Sequence, residues 1–445
     1  MSVPRVLLAL SLSALLICGC SQFSKQPMAQ TPQNGVPRID PDYNADVEDW
    51  WTTHPFNPES AKYQPLIKSP EPVVTLEPGA NLQEAIDNLP ATGGTLKLTA
   101  GEYQRGFQII GKSNIHVIGE GKVIVKGSFR YAGNQWARNY GPYDSAVSRR
   151  GKRIKEVWEA HKKPSMNYYV KGITFDGEND RVTAINLQRV YDVVIDDCVF
   201  ENFRNPNSHH PGTVSGHEGL NNIWCRNSTF KGAGVYVCYL DGTHGSGFIN
   251  CTIDINKYNG GFLFLTNDDF TEDINENGKT DREEERTAKY IVLYGNTYNG
   301  NNGGGAAFQT TGENILFTKN KINGSIKHLC GSDPRWTDSD PEICYHFYNY
   351  KIINNEVNTV TDSVLIERNL AMISCPKHIK YPPRMGKVTI RDNKFGAVGR
   401  ALLQQVTLSH PEFHGTGSKV AEFDGPNVLK NNTVGGKLIA EGDIK

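Results

Sequence analysis

The sequence predicts an all-β chain wound into a stack of similar coils, and three observations carry that expectation. A short phrase recurs, made of a few apolar residues, a small polar position, one spacer and a closing apolar residue. It stands at Val193 to Phe200, Ile223 to Phe230, Phe248 to Ile253, Ile291 to Tyr298, Ile315 to Ile322, Ile352 to Val357, Val388 to Phe395 and Val428 to Val434. Two places before each closing residue sit Cys198, Ser228, Cys251, Asn296, Asn320, Asn355, Asn393 and Asn432, a ladder of small polar turn residues. The spacings Phe175 to Phe200, Phe230 to Ile253 and Tyr298 to Ile322 run from 23 to 25 positions. Three short strands and three turns need about that much chain at roughly 3.3 Å per strand residue.

A unit of this size cannot bury its apolar face alone, so repetition implies stacking into a quasi-one-dimensional body. Each phrase alternates with period two and reads as a strand, not as a helix face. One long coil is therefore expected, where 445 residues would otherwise suggest two or three domains. Near the start of the coil, Leu82, Ala85, Ile86 and Leu89 share one helix face, and Asn81 with Glu84 three residues on has capping-box spacing. A short amphipathic helix there would plug the open end, as solenoids require.

From about Leu76 to its C-terminus the chain resembles the right-handed parallel β-helix superfamily, the pectin-lyase-like proteins. The resemblance is carried by the Asn ladder and by Ala80-Asn81-Leu82-Gln83-Glu84-Ala85-Ile86-Asp87-Asn88-Leu89 followed by Gly93-Gly94-Thr95-Leu96-Lys97-Leu98. It implies a single-stranded right-handed parallel β-helix with a short N-terminal capping helix and long loop insertions, its ladder side chains stacked at one tight bend. The expected organisation is a lipoprotein signal peptide at 1–20, a Pro-rich spacer at 21–72 and the β-helix at 73–445, with insertions at about 129–167, 267–287 and 326–344.

Arg5, the apolar run Val6 to Ile17 and then Cys18-Gly19-Cys20-Ser21 form an export signal too short to span a bilayer as a mature anchor. Its end resembles a bacterial lipoprotein cleavage site. That resemblance implies lipidation of Cys20 and, with Ser21 next, an exported protein tethered to the outer membrane, its body in water. The chain from there to about Pro72 reads as a polar spacer interrupted by Trp50-Trp51, which are expected to dock on the first coils. Seven cysteines remain in the body, an odd number. Cys330 and Cys344 flank a Pro- and Asp-rich loop and are the expected disulfide, while Cys198 and Cys251 are expected as small interior groups. The formal net charge of −1 gives no whole-chain footprint for nucleic acid. A monomer is expected.

Asp273 to Glu284 matches the twelve-residue calcium loop of EF-hands. Asp273, Asn275, Asn277, Asp281 and bidentate Glu284 offer side-chain oxygens, Lys279 offers its carbonyl, and Gly278 supplies the turn. Ca²⁺ there would fasten an insertion. The stretch from Ser128 to Tyr168 holds nine basic residues against three acidic ones. Arg149, Arg150 and Arg153 with Trp136 and Trp158 are its expected substrate-binding residues, since guanidinium forks hold carboxylate or sulfate and aromatic faces stack on sugars. A Gly/Pro-rich turn supplies His209, His210 and His217 as candidate bases near neutral pH.

Strands 234–240, 261–266, 306–310, 364–369 and 401–406 are expected to stack into one sheet. Tyr239, Gln309, Glu367 or Arg368, and Gln404 would face outward from it, with Asp241, His244, Asp268 and Asp269 at strand ends. The function these residues point to is β-elimination or C5 epimerisation of an acidic, uronate or sulfated polysaccharide. Both begin with removal of a proton next to a carboxylate, and His209, His210, His217, Tyr239 or Arg368 would be the base. The alternatives are a glycoside hydrolase, using two of Asp241, Asp268, Asp269 and Glu367, and a non-catalytic surface lipoprotein that binds glycan.

Overall fold

The computed structural model describes residues 35–37, 45–132, 165–180, 183–188, 190–203, 212–217, 220–231, 236–240, 242–254, 264–266, 288–300, 302–310, 312–332, 347–367, 384–405, 422–423 and 426–439. These residues form a right-handed parallel β-helix. Among them every strand pairing is parallel except the last, where Thr433–Val434 turns back antiparallel on Lys437–Leu438.

Three faces follow from the pairings. The first runs through Val73–Leu76, Gly94–Leu98, the start of Ile115–Val125, the start of Ser165–Asp176, Val190–Asp196, Asn221–Arg226, His244–Ile249, Ala288–Tyr294, Gly312–Thr318 and Phe347–Ile353. The second face includes Val199–Glu201, Thr229–Lys231, Thr252–Asp254 and Thr297–Asn299. The third runs through Phe107–Ile110, Phe129–Ala132, Ile185–Gln188, Gly212–His217, Tyr236–Leu240, Phe264–Thr266, Asn302–Thr310, the end of Lys321–Ser332, Leu365–Glu367 and Leu403–Gln405.

Alternation fills the interior with one residue in two from each strand. On the second face Phe175, Phe200 and Phe230 stack with ring centroids 5.2 and 4.6 Å apart, an offset aromatic column that ties three coils together. The bend between the first and second faces is the expected ladder. The Asn296 N–H donates to Asn320 Oδ1, the Asn320 N–H to Asn355 Oδ1, the Asn355 N–H to Asn393 Oδ1 (each 2.9 Å), and the Asn393 N–H to Asn432 Oδ1 at 3.2 Å. Cys251 N–H joins it through Asn296 Oδ1, and Cys198 N–H donates to Ser228 Oγ.

The residue before each rung is Asp197, Asn227, Asn250, Gly295, Lys319, Asn354, Asp392 or Asn431, and all have φ between 51° and 66°. Asn, Asp and Gly tolerate this left-handed conformation. The bend is thus a two-residue device, one residue turning the chain and the next satisfying the preceding coil. At the N-terminal end the helix Leu82–Asn88 closes the coil; Asn81 Oδ1 accepts from the Gln83 and Glu84 amides, and Leu82, Ile86 and Leu89 are buried.

The expectation of a spacer up to residue 72 is corrected. Residues 45–68 pack along the outside of the first face, and residues 35–37 are held there too. The helix Val47–Thr52 sets Trp50 and Trp51 against Trp224, Tyr290 and Tyr294, so the pair docks on middle coils and not on the first ones. His54 and Phe56 complete the cluster. Polar clamps hold the strap: Val36 N–H to Asn167 Oδ1, Tyr290 hydroxyl to the Ala45 carbonyl, Lys351 to Asp46 and Glu48, Arg391 to Glu48, and Arg226 to the Gln64 and Pro65 carbonyls. The reason is that the first face is apolar outside as well as inside, with Val194, Trp224, Val292 and Leu316 outward. Such a sheet must be covered on both sides.

Two insertions are shorter than expected. Phe129–Ala132 and Ser165–Asp176 are strands, which leaves 133–164 as the first excursion, and Lys321–Ser332 runs on to residue 332 before the third.

Candidate functional site

The first face is covered by the strap, and the third face is the one whose strands adjoin the longest connections. The stretches 133–164, 267–287, 333–346, 368–383 and 406–421 lie outside the described residues, and each starts where a third-face strand stops and ends where a first-face strand begins. The segment 204–211, with His209 and His210, leads into the third face from the other side. Long connections at strand ends are where a rigid scaffold places variable groups.

One row of register partners runs along the third face, outward at its described N-terminal positions. It reads Gln108, Arg130, Asn186, Ser215, Tyr239, Leu265, Gln309, Gly331, Ile366 and Gln404. Inward neighbours confirm the sense, since Phe129, Tyr131, Ile185, Leu187, Cys238 and Leu240 are all in the core. A second row contains Gln188 and His217, which are paired in register. Tyr239, Gln309 and Gln404 thus share a row, as expected. The position expected for Glu367 or Arg368 belongs to Ile366; Glu367 is one place on, in register with Ser332 and Gln405, and Arg368 lies outside the described residues.

At the N-terminal end this floor is open. Gln108 is exposed, and Arg130, Asn186 and Gln188 are half-buried, whereas Ser215 and Tyr239 are buried. Arg130 Nη2 donates to Gln188 Oε1 at 3.2 Å, and its Nε is buried without a hydrogen-bond partner. Beside Gln108 lies an open pocket of about 370 Å³ lined by Gln83, Gln104, Arg105, Gln108, Lys126 and Ser128. Its back wall is Gly106 and Gly127, where the coils approach so closely that a Cβ on Gly106 would lie 1.9 Å from the Ser128 carbonyl oxygen.

A third row stands at the corner between the third and first faces. Asn221, His244, Lys289, Glu313 and Tyr348 are successive partners. Lys289 Nζ lies 3.5 Å from Glu313 Oε1 with both side chains buried. Desolvation of two buried charges offsets much of their attraction, so such a pair adds little net stability. It stands where the 267–287 excursion rejoins the coil.

The remaining expected site residues divide plainly. His209, His210, Arg149, Arg150, Arg153, Trp136, Trp158, Asp241, Asp268, Asp269, Cys20, and the whole loop of Asp273, Asn275, Asn277, Lys279, Asp281 and Glu284 lie outside the described residues. Among the described residues no group of three or more His, Cys, Asp or Glu is placed to hold a metal ion, and no helix is long and apolar enough to cross a membrane. Cys330 is a free, buried thiol in the interior, in register with Phe308 and Leu365, which corrects the disulfide expected with Cys344. Its strand continues through the position taken for a loop edge, so its side chain faces the core. Cys198 and Cys251 are interior free thiols as expected, and burial pushes the Cys198 thiol up to about 12.

Arg130 was not resolved as a floor residue by sequence, because Ser128 to Tyr168 reads as one basic insertion. The signal was present in Phe129-Arg130-Tyr131, a period-two alternation that marks a strand with Arg130 outward.

No protein-family model matches the chain, and no curated protein matches its sequence. Solved structures do. A hyperthermoactive exopolygalacturonase from Thermotoga maritima aligns over 84% of this chain and 94% of its own, with 11% identity and a TM-score of 0.51. PfbA, a surface adhesin of Streptococcus pneumoniae, aligns over 79% and 81% with 12% identity and a TM-score of 0.46. The A-module of mannuronan C-5 epimerase AlgE6 from Azotobacter vinelandii aligns over 79% and 88% with 14% identity and a TM-score of 0.40. The structural neighbours are pectin-lyase-like right-handed β-helix proteins, and at these identities the likeness is one of fold.

Proposed function

We propose that this chain is an exported, polysaccharide-active β-helix protein that receives an acidic polysaccharide along its third face and acts by β-elimination or C5 epimerisation. The observation that carries the reading is the floor row itself. Of its ten successive positions four hold amides, two hydroxyls and one an arginine, the others being Leu265, Gly331 and Ile366, and none holds a carboxylate. Hydrolysis needs two carboxyl groups across a glycosidic bond, and this row supplies none. A floor of hydrogen-bond donors with a cation fits a polymer that is itself anionic. The sequence between Ala132 and Ser165, whose ends adjoin this floor, is strongly basic.

In either reaction a base removes the proton at C5, next to the carboxylate, and positive charge holds the developing carbanion. Elimination then breaks the C4–O bond and leaves a C4=C5 double bond; epimerisation returns a proton from the other side. Tyr239 is the base candidate whose side chain is placed on the floor, and His217 stands one row away on the neighbouring coil. Calcium at Asp273 to Glu284 and lipidation at Cys20, with outer-membrane tethering, belong to the same proposal and rest on their sequence spacing. Calcium would fasten the 267–287 excursion, and chelation would then lower the melting temperature.

The test is to incubate the purified chain with alginate, pectate, ulvan, carrageenan and glycosaminoglycans, with and without chelator. Ultraviolet absorbance of the new double bond reports elimination, and deuterium incorporation at C5 without chain cleavage reports epimerisation. Tyr239→Phe is expected to reduce either by about a hundredfold or more. Retention of polymer without turnover would make the protein a binder, and shortened saturated products would make it a hydrolase.

A further inference from the structure

The N-terminal end of the trough holds a cation whose surroundings are those of a binding site and not of a structural ion pair. Three other described arginines are matched, Arg226 to Asp196, Arg391 to Glu48 and Asp392, and Arg400 to Asp362, while Arg105 beside the pocket is in no ion pair with a described residue. Among the described residues Arg130 has no carboxylate partner. Its one hydrogen bond runs to a neutral acceptor, Gln188 Oε1 at 3.2 Å, and its buried Nε donates to nothing. A guanidinium carries five N–H donors in a rigid fork, so most of its donor capacity is unspent.

Strand alternation fixes its direction, because Phe129 and Tyr131 on either side are fully buried and Arg130 must point out. Register places it between Gln108 and Asn186, with Gln188 beyond, and all four lie on the part of the floor that solvent reaches. Arg105 and Lys126 line the adjoining pocket; Lys126 is paired with Glu102 at 3.1 Å.

We infer that Arg130, with Asn186 and Gln188, forms a subsite for the anionic substituent of a sugar residue, a carboxylate or a sulfate, at the N-terminal end of the third-face trough. This deepens the reading of the chain as a protein acting on acidic polysaccharide and rests on it. The bond to Gln188 restrains the fork at Nη2, and the Asn186 and Gln188 amides would receive the hydroxyls of the same sugar. A planar fork and a planar carboxylate match in a bidentate pair; a tetrahedral sulfate takes the same donors with less angular restriction.

The experiment is calorimetric titration of the full chain with two probes, oligogalacturonate for carboxylate and an oligosaccharide of iota-carrageenan for sulfate, with a neutral galactose oligomer as control. Arg130→Gln is expected to weaken binding of the preferred acidic probe about ten- to a hundredfold, as loss of a charge-assisted bidentate contact does. It should leave the neutral oligomer unaffected and make binding less sensitive to salt. Arg130→Lys keeps the charge without the fork and should lie between. Gln188→Leu, which removes the restraining contact alone, should cost less than Arg130→Gln and serves if that variant fails to fold. Unchanged binding of the acidic probe by Arg130→Gln or, should that variant not fold, by Arg130→Lys and Gln188→Leu together, overturns the subsite and leaves the wider reading intact. If the unmodified chain binds neither acidic probe, both fall.

Discussion

The ladder makes a quantitative claim at Asn320. Its Oδ1 accepts from the Asn296 backbone N–H at 2.9 Å and from Asn296 Nδ2 at 3.0 Å. Its own Nδ2 donates to the Leu293 and Thr318 carbonyls at 2.8 and 3.0 Å and approaches Asn355 Oδ1 at 3.1 Å. In Asn320→Ala, Asn296 Nδ2 still has the Phe248 carbonyl and Asn355 Oδ1 keeps the Asn320 backbone N–H. The Asn296 backbone N–H is orphaned in a fully buried place. A buried unsatisfied donor costs roughly 1–3 kcal/mol, and two weakened carbonyls plus a small void bring the expected loss to about 3–4 kcal/mol. Asn320→Asp keeps the acceptor but turns a carboxylate oxygen toward two carbonyls and Asn355 Oδ1, and is expected to be at least as damaging at neutral pH. Because a long repeat need not unfold in one step, the assay is native-state hydrogen exchange of the Asn296 amide, with urea unfolding alongside. A loss below about 1 kcal/mol with undiminished protection at Asn296 would show that the rungs decorate the bend without holding it.

Three further outcomes follow from burial. Desolvation holds His54 near a pKa of about 3 and His116 near about 4. The unfolded chain protonates both at about 6.5 while the folded one does not. Stability is therefore full above that value and falls with pH at roughly 1.4 kcal/mol per unit for each group, about 4 kcal/mol in all between pH 7 and 5; a flat urea midpoint over that window refutes it, and His54→Gln should halve the slope. Trp51→Ala, which strips the strap of a ring stacked on Trp224, should cost about 3–5 kcal/mol and admit protease to residues 57–66. Cys330 should resist maleimide until the chain is denatured, and a peptide linking it to Cys344 under non-reducing digestion would overturn its interior placement.

The repeated bend was legible in sequence because its chemistry is local. A rung needs a side chain that accepts from the preceding coil, and Asn or Ser two places before an apolar residue states that need, while the small thiols of Cys198 and Cys251 fill the same position and donate to carbonyls. The capping helix was legible for the same reason, since Asn81 and the Leu82, Ile86 and Leu89 stripe lie within nine residues. The strap was not. Trp50 and Trp51 find Trp224 and Tyr290 more than 170 positions away, and nothing near residue 50 says which coil will be apolar outside. Cys330 was misplaced because a Pro- and Asp-rich sequence after it suggests a loop edge, while the strand runs two residues beyond it. Arg130 was hidden by its neighbours' charge, which drew a strand into an apparent insertion.

The strap and the strand connections together distinguish the three faces. A parallel coil presents three outer surfaces. On this one the chain spends residues 35–37 and 45–68 covering the first, whose Trp224, Val292 and Leu316 would otherwise meet water. The second carries strands as short as three residues, ending in charged or polar positions such as Glu201, Lys231, Asp254 and Asn299. The third has its strand ends extended five times into long connections, always at the same corner. A connection's length costs little at an exposed corner, since closure entropy grows only logarithmically. In-register stacking multiplies that tolerance, because strand ends far apart along the chain lie on adjacent coils. Exchange of a single outward residue such as Arg130 then leaves untouched the ladder that keeps the coils in step.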